Sequence, residues 1–499
     1  MASKDPSAPR KTLSLAGKPR PAQAPGEEPE TRKRSGARAR QIAQLERARE
    51  KHRRMSQPAG ALSPGPSGQR PYAGSAPVSA ERSSAGMPEP AAREHARPDP
   101  AADEPTLEAR PRRARTARPA ETFTVFAPCP QGMEAALAAE LEALGFEGVA
   151  AGRAGAGFRA DWSGIMQANL YSRLATRILV QVAQAPVSSE HEILDLARSV
   201  PWERWFGPEQ TLRVDTSAIK SPMKSLQYCN LRAKDGICDR LRDREGARPD
   251  IDTVRPDARV HLFLSRDTAT LYLDTSGESL FKRGWRLDKG AAPLRENLAA
   301  GLLALAGWDP AAPLMDPFCG SGTILIEAAW IALGVPAGIA RPFGFERLRG
   351  HEPRRWRDLK EDARARILTR LDAPLVGVDL DPQAIEAARQ NAERAWLSPE
   401  TVRFETGDAR QVPPPDEHGW LVTNPPYGER LEAEGETLWA EWAACLKRHF
   451  GGWHVAVISS DHNLPQHMRL KPQRRTPVHN GALDCRLFEF EIVSAGFRR

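Results

Sequence analysis

No run of about 18 apolar residues exists in this chain, so no membrane-spanning helix is expected. Its first residues mix charge with proline and lack the apolar core of a secretory signal. Cysteine is scarce, at six in 499 residues, and positions 129, 229, 238, 319, 445 and 485 form neither a CxxC pair nor a zinc spacing. They read as reduced thiols, and the expected location is the cytoplasm. Of 32 aromatic residues only Tyr72 falls within the first 120 positions, which hold 18 of the 44 prolines. A segment so poor in large apolar groups cannot offset its ordering entropy, so residues 1–120 are expected to be a disordered Pro/Ala/Arg-rich tail. No repeat of fixed period is present.

Charge divides the chain the same way. The first 120 residues carry 24 Lys+Arg against 13 Asp+Glu, and the remaining 379 carry 47 against 51. The basic isoelectric point is therefore a property of the tail, and it says nothing by itself about what the folded part binds. Clustered arginines in such a tail suit a non-specific tether to RNA phosphates.

Order is expected from Phe123. A short strand at Phe123–Phe126 and a turn to Gly132 lead into Met133, Leu137, Leu141 and Leu144 at helical spacing, stopped by Gly145. A second helix from Ile165 runs into a strand ending near Val182, and a third helix covers Ile193–Ser199. A strand at Thr211–Asp215, a basic helical stretch to about Leu241, and a strand pair at Arg259–Leu264 and Thr268–Asp274 follow. From Pro293 apolar strand cores alternate with helices: Leu314-Met315, Leu375–Val378, Trp420–Val422 and Trp453–Ile458 against Gly322–Leu333, Pro382–Trp396 and Leu438–His449. Buried runs separated by helices mark a mostly parallel, doubly wound sheet. Cys485–Val493 alternates as an edge hairpin strand would. The expected division is a tail over 1–120, an α+β module over 121–280 and an α/β domain over 281–499.

Three segments carry chemistry. In Asp316-Pro317-Phe318-Cys319-Gly320-Ser321-Gly322-Thr323 a strand ends in an acid, and a glycine turn opens a helix whose free N–H groups can face a ligand. Lysine does not follow the glycines and the third Rossmann glycine is missing, so neither a P-loop nor a dinucleotide fingerprint is present. Asp379 ends the next strand, where an acid can accept hydrogen bonds from ribose hydroxyls, while Asp381 and Pro382 cap the following helix. Asp408, with Ala409 beside it, ends another strand and could accept from an adenine amino group. The most specific segment is Asn424-Pro425-Pro426-Tyr427, where two prolines remove two backbone donors and leave carbonyls and an amide oxygen to accept from a planar –NH2. Tyr427 offers a face on which a base can stack.

Taken in that order, these segments resemble class I S-adenosylmethionine-dependent amino-methyltransferases. More closely, residues 122–495 are similar to the THUMP-domain guanine-N2 methyltransferases of bacterial large-subunit ribosomal RNA. That resemblance includes Ser221–Tyr228, Leu273–Gly277, Arg283-Gly284-Trp285-Arg286, Pro293–Asn297, Asn424–Leu431 and Asn480–Cys485. It implies a ferredoxin-like segment and a THUMP domain before a Rossmann-like methyltransferase domain, with S-adenosylmethionine as cofactor. It also implies the methionine end of the cofactor near Asp316 and the glycine turn, ribose on Asp379 and adenine beside Asp408. Pro293–Asn297, which begins the helix leading into the sheet, is placed to close over the cofactor. The tail has no counterpart in the family, and the chain is expected to be too short to hold the second methyltransferase that some relatives fuse behind the first.

Methyl transfer to an amine demands position and polarisation more than a strong base. Asn424 and the Pro425 carbonyl would receive the amine protons and favour its pyramidal, nucleophilic form, and the base must leave its stack to arrive there. Cys319 reads as a small residue in a glycine turn, not as a nucleophile; His454 and His462 read as structural or surface residues. No metal is expected. RNA is expected to be gripped between Arg213 and Arg248, where nine Lys+Arg face five Asp+Glu, with Lys220, Lys224, Tyr228, Arg232 and Lys234 as contacts. Competing readings are a DNA adenine-N6 methyltransferase, a tRNA guanine-N2 methyltransferase and a non-catalytic RNA-binding factor. The amino-methyltransferase reading requires residues 316–323 and 424–427 to share one rim of the sheet.

Overall fold

The computed structural model describes residues 121–286, 294–426 and 435–493. The expected tail, Pro293 and Tyr427 lie outside these residues.

Seven strands form a first sheet in the order β2-β3-β1-β4-β7-β6-β5. They are β1 (Phe123–Pro128), β2 (Glu147–Gly152), β3 (Gly155–Ala160), β4 (Leu179–Pro186), β5 (Leu212–Ala218), β6 (Ala258–Leu264) and β7 (Thr268–Asp274). Every pairing is antiparallel except β5 with β6, which are joined by a helical crossover. Helices α1 (Glu134–Ala143), α2 (Trp162–Tyr171), α3 (Glu190–Ser199) and α4 (Leu226–Glu245) accompany the sheet. Leu137 and Leu141 of α1 are fully buried, as their spacing requires. Asp161 caps α2 by accepting from the Gly164 amide at 2.7 Å. The expected second helix therefore starts at Trp162 and stops at Tyr171, with irregular chain before β4.

The β2–β3 hairpin and a helix at Pro353–Ala365 have no counterpart in the sequence reading. The hairpin is built from Glu147-Gly-Val-Ala-Ala-Gly152 and Gly155-Ala-Gly-Phe-Arg-Ala160, whose small residues give no apolar alternation. The helix buries only Trp356 and Ala363.

A second seven-stranded sheet has the order β10-β9-β8-β11-β12-β14-β13. Its strands are β8 (Leu314–Asp316), β9 (Leu375–Asp379), β10 (Arg403–Thr406), β11 (Trp420–Thr423), β12 (His454–Ser459), β13 (Arg474–Asn480) and β14 (Leu483–Glu491). The first five in spatial order are parallel, and β14 is antiparallel to both neighbours. Cys485–Val493 thus belongs to a hairpin but not to the edge. β14 is enclosed between β12 and β13, because its inward residues Leu487, Phe488 and Phe490 need cover.

Helices α5 (Glu296–Leu305), α6 (Thr323–Ala332), α7 (Pro353–Ala365), α8 (Pro382–Arg394), α9 (Gly435–His449) and α10 (Leu464–His467) accompany the second sheet. Burial alternates along the strands. Leu314 and Val422 join the core beneath α5, α6 and α8, while Met315 and Leu421 join one with Trp439, Trp442 and Leu446 of α9. Helices thus cover both faces, as a doubly wound sheet demands. The chain runs β8, β9, β10 to one side and then returns to β11 on the other side of β8. That reversal creates a crevice at the carboxyl ends of β8 and β11, where open α/β sheets bind ligands.

Candidate active site at the switch point of the second sheet

β8 and β11 are adjacent and parallel, with Leu314 opposite Trp420 and Met315 opposite Leu421. Their carboxyl ends therefore lie side by side, and the Thr423 hydroxyl donates to Asp316 Oδ1 at 2.6 Å. The acid of the glycine turn and the residue preceding Asn424 are in direct contact, so residues 316–323 and 424–426 share one rim.

Asp316 is buried, at 2% exposure. Burial pushes its carboxyl up to about 7, against the pull of the Thr423 hydroxyl and the Phe318 amide, and the neighbouring Asp379 adds to the rise. Phe318 N–H reaches Oδ1 at 3.2 Å, so both donors among the described residues converge on one oxygen. Pro317 is buried beside it. Cys319 is buried as well, and burial together with Asp316 and Asp379 drives its thiol well above the ordinary range. That is the reverse of what a nucleophilic thiolate needs.

The two glycines have different roles. Gly320 has φ +53°, and a Cβ there would meet nothing within 4 Å, which leaves open space above the turn. Gly322, at φ +80°, lies against the chain itself, where a Cβ would approach Phe404 Cζ at 2.8 Å and Ala388 Cβ at 3.1 Å. On that side the missing Cβ makes room for β10 and α8. The buried Thr323 begins α6 and accepts from Arg286 Nη2 at 2.5 Å. Arg286 also donates to the Leu294 carbonyl at 2.9 Å and lies 3.0 Å from Glu296 Oε1, tying the start of α5 to the start of α6.

Asp379 is half-buried at the tip of β9, where Oδ2 accepts from the Gly320 amide at 2.8 Å and Oδ1 from the Asp381 amide at 3.0 Å. Each oxygen keeps a lone pair for a further donor. Asp381 caps α8 through the Gln383 amide at 2.9 Å. Asp408 is differently placed. Arg410 grips it through Nε at 2.9 and 3.0 Å and Nη2 at 2.6 Å, and its own amide adds a bond at 2.9 Å. Arg410 holds that carboxyl below the usual range, so an adenine amino group would have to share or displace the guanidinium. Ala409 beside it is buried.

Asn424 is half-buried, and its Oδ1 is shut away from solvent with no hydrogen-bond partner among the described residues. An amide oxygen left this way costs about 1–3 kcal/mol, and a donor arriving there recovers it. Pro425 is buried and Pro426 half-buried. His454, at the opposite end of the sheet, stacks on Trp420, and His462 is exposed. Among the described residues no group of His, Cys, Asp and Glu could hold a metal.

On the first sheet, much of the local positive charge is internally neutralised. Arg213, Lys234, Arg240, Arg242 and Arg248 pair with Asp215, Asp235, Glu203, Asp239 and Asp243. Lys220 and Lys224 stay exposed before α4, and Arg232 lies over the Tyr228 ring at 5.0 Å. Leu226, Tyr228 and Leu231 are 41%, 40% and 43% exposed on the same helix.

Sequence reasoning missed the Thr423–Asp316 bond, the Arg286 clasp and the Arg410 grip. Arg286 alone had a signal, in the Arg283–Arg286 segment, because the other two depend on which strands become neighbours.

Three domain families match the chain: an RlmL ferredoxin-like domain over 124–179, a THUMP domain over 187–274 and an RMKL-like methyltransferase domain over 283–489. The ribosomal RNA large subunit methyltransferase K/L of Syntrophotalea carbinolica is 41% identical over 384 residues, covering 74% of this chain and 54% of that protein. The chain thus spans about half the length of the curated relatives it matches. Among solved structures, SMU.472, described as a putative methyltransferase and complexed with SAH, is 27% identical with a TM-score of 0.69, covering 74% of this chain and 98% of that one. A protein from Listeria monocytogenes, described as a predicted N6-adenine-specific DNA methylase, is 30% identical with a TM-score of 0.68, covering 74% of this chain and 96% of that one. The chain belongs to the family of methyltransferases built from an RlmL ferredoxin-like domain, a THUMP domain and an RMKL-like methyltransferase domain.

Proposed function

We propose that this protein transfers a methyl group from S-adenosylmethionine to the exocyclic N2 amino group of a guanine in 23S ribosomal RNA. Residues 121–280 would hold the RNA and 281–499 would carry the chemistry, in the cytoplasm where ribosomes are assembled. The observation that carries the reading is the orphaned Asn424 Oδ1, one residue from the Thr423–Asp316 contact.

The rim fits the cofactor. Gly320 leaves room, the Asp316 oxygen not used by Thr423 suits a cationic amine, and Asp379 keeps lone pairs for ribose hydroxyls. When bound, the cofactor supplies an electrophilic methyl group on a sulfonium. The remaining work belongs to the chain. Asn424 Oδ1 and the Pro425 carbonyl accept the two protons of the target amine, which draws its lone pair out of conjugation with the base. Two successive prolines keep competing N–H donors away from that spot. The excess proton passes to water. Tyr427 is the stacking face by resemblance, and a guanine reaching it must be flipped out of its helix.

The THUMP match and the ribosomal name of the S. carbinolica relative favour RNA. The name of the L. monocytogenes neighbour favours the adenine-N6 reading, and Asn-Pro-Pro-Tyr serves either amine. Incubation with labelled S-adenosylmethionine and total RNA or genomic DNA, followed by nucleoside analysis, separates them. N2-methylguanosine in 23S RNA is expected; N6-methyladenine in DNA, or label only in tRNA, overturns the proposal. Asn424→Ala should lower turnover at least a hundredfold while cofactor affinity, read by calorimetry, stays within about twofold; retained activity would show that the pocket is misassigned.

A further inference from the structure

The Thr423–Asp316 contact has a consequence for how the site is assembled. Thr423 is fully buried at the end of β11, and Asp316 is buried at the end of β8. No cation faces Asp316 at hydrogen-bonding range among the described residues. From β9 it meets Asp379, from the turn it meets the Cys319 thiol, and the nearby Arg286 is committed to Glu296 and Thr323. The donors to Asp316 are therefore the Thr423 hydroxyl at 2.6 Å and the Phe318 amide at 3.2 Å. Asn424, with its unpartnered amide oxygen, follows Thr423 directly.

We propose that Thr423 is a positioning residue that couples the two halves of the site: its hydroxyl orients the carboxylate that receives the cofactor's cationic end and fixes the backbone from which Asn424 projects. This rests on the methyltransferase reading above and adds an order of assembly to it. A hydroxyl bonds a carboxylate more strongly than a carboxylic acid. Arrival of an α-ammonium keeps Asp316 ionised, tightens the bond to Thr423 and holds Asn424 ready for the base. Cofactor would thus bind before RNA.

Because the Asp316 carboxyl titrates near 7 without ligand, cofactor affinity should climb with pH through neutrality. For a single group at that value the rise between pH 6 and pH 8 is about tenfold. Calorimetric titration of the full chain with S-adenosylhomocysteine reads it directly, without any RNA. Thr423→Val removes the donor at constant volume and should move the rise to higher pH, weakening binding about fivefold at pH 7 for a displacement of one unit. Thr423→Ser should restore the wild-type profile. Thr423→Ala gives the same measurement where valine prevents folding, and urea midpoints at pH 5 separate general instability from the titration effect. A pH profile unchanged in both Val and Ala variants overturns the coupling. Wild-type protein that binds no S-adenosylhomocysteine at any pH overturns instead the cofactor reading on which the coupling rests.

Discussion

Gly320 and Gly322 share the left-handed region but should respond differently to a methyl group. Alanine at either position pays about 1–2 kcal/mol for its backbone conformation. At Gly322 the new Cβ would also drive into Phe404 and Ala388, and overpacking of this kind costs about 1–3 kcal/mol more. Gly322→Ala should therefore lower the urea midpoint clearly more than Gly320→Ala, whereas Gly320→Ala should be the more damaging to cofactor binding per unit of stability lost. Asp316 supplies a second test, this time of sign. Its folded carboxyl is raised to about 7, so the unfolded chain releases that proton first and the group opposes folding as pH rises from about 4 to 7. Asp316→Asn removes this penalty. The thermal midpoint of the cofactor-free variant should exceed the wild type by more at pH 8 than at pH 5, while cofactor binding is lost. A variant less stable at both pH values would mean that the carboxyl is ionised and satisfied by groups outside the described residues.

At the scale of elements, what could be read from the sequence was whatever is buried on both sides or punctuated by glycine and proline. Strands β8, β9 and β11 are short apolar runs ending in Asp316, Asp379 and Thr423, the last followed directly by Asn424, and the structure sets all three ends along one rim. The β2–β3 hairpin escaped notice because Gly and Ala carry no alternating signal, and α7 because two buried residues in thirteen make no stripe. Charge on α4 was legible as a count but not as an arrangement. Nine cations stand between Arg213 and Arg248, yet five are held by acids, most of them within three residues in sequence, such as Lys234 with Asp235, and one, Arg240 with Glu203, across the fold. Lys220 and Lys224 stand exposed in the turn before α4, ahead of exposed Tyr228 on its first turn. Replacing both Lys220 and Lys224 by alanine should weaken RNA binding and reduce its salt slope by about 1.4–1.8, since each phosphate contact contributes about 0.7–0.9. Binding measured from 50 to 300 mM salt checks this, and an unchanged slope would move the RNA contact elsewhere.

Across the whole described molecule, the module proposed to hold RNA and the sheet proposed to carry the chemistry are built to behave as one body. Apolar packing contributes, because one continuous core runs from Val125 of β1 and Leu137 of α1 to Leu325 of α6 and Val422 of β11. Charge supplies the rest. Arg283, only 1% exposed, donates to both oxygens of the fully buried Glu327 of α6, at 3.1 and 3.2 Å, and to the Arg173 carbonyl at 2.7 Å. Arg173 itself lies 3.8 Å from Glu327 and donates to the Trp330 carbonyl at 3.1 Å. A buried pair of this kind adds little net stability, but removing one partner leaves the other charge stranded at a cost of about 3–5 kcal/mol. Glu327→Ala strands two guanidinium groups at once and should sit at the upper end of that range. Because the loss falls on the seam between the two sheets, near-ultraviolet circular dichroism and the fluorescence of tryptophans on both sides should report a single transition at a lower midpoint. Arg283→Met combined with Glu327→Leu removes both charges while keeping the volume, and should recover most of the stability. If that double variant methylates RNA as fast as the wild type, the ion pair serves assembly alone. If it folds, binds cofactor normally and still turns over slowly, the pair sets the angle at which RNA held on the first sheet is presented to Asn424 on the second.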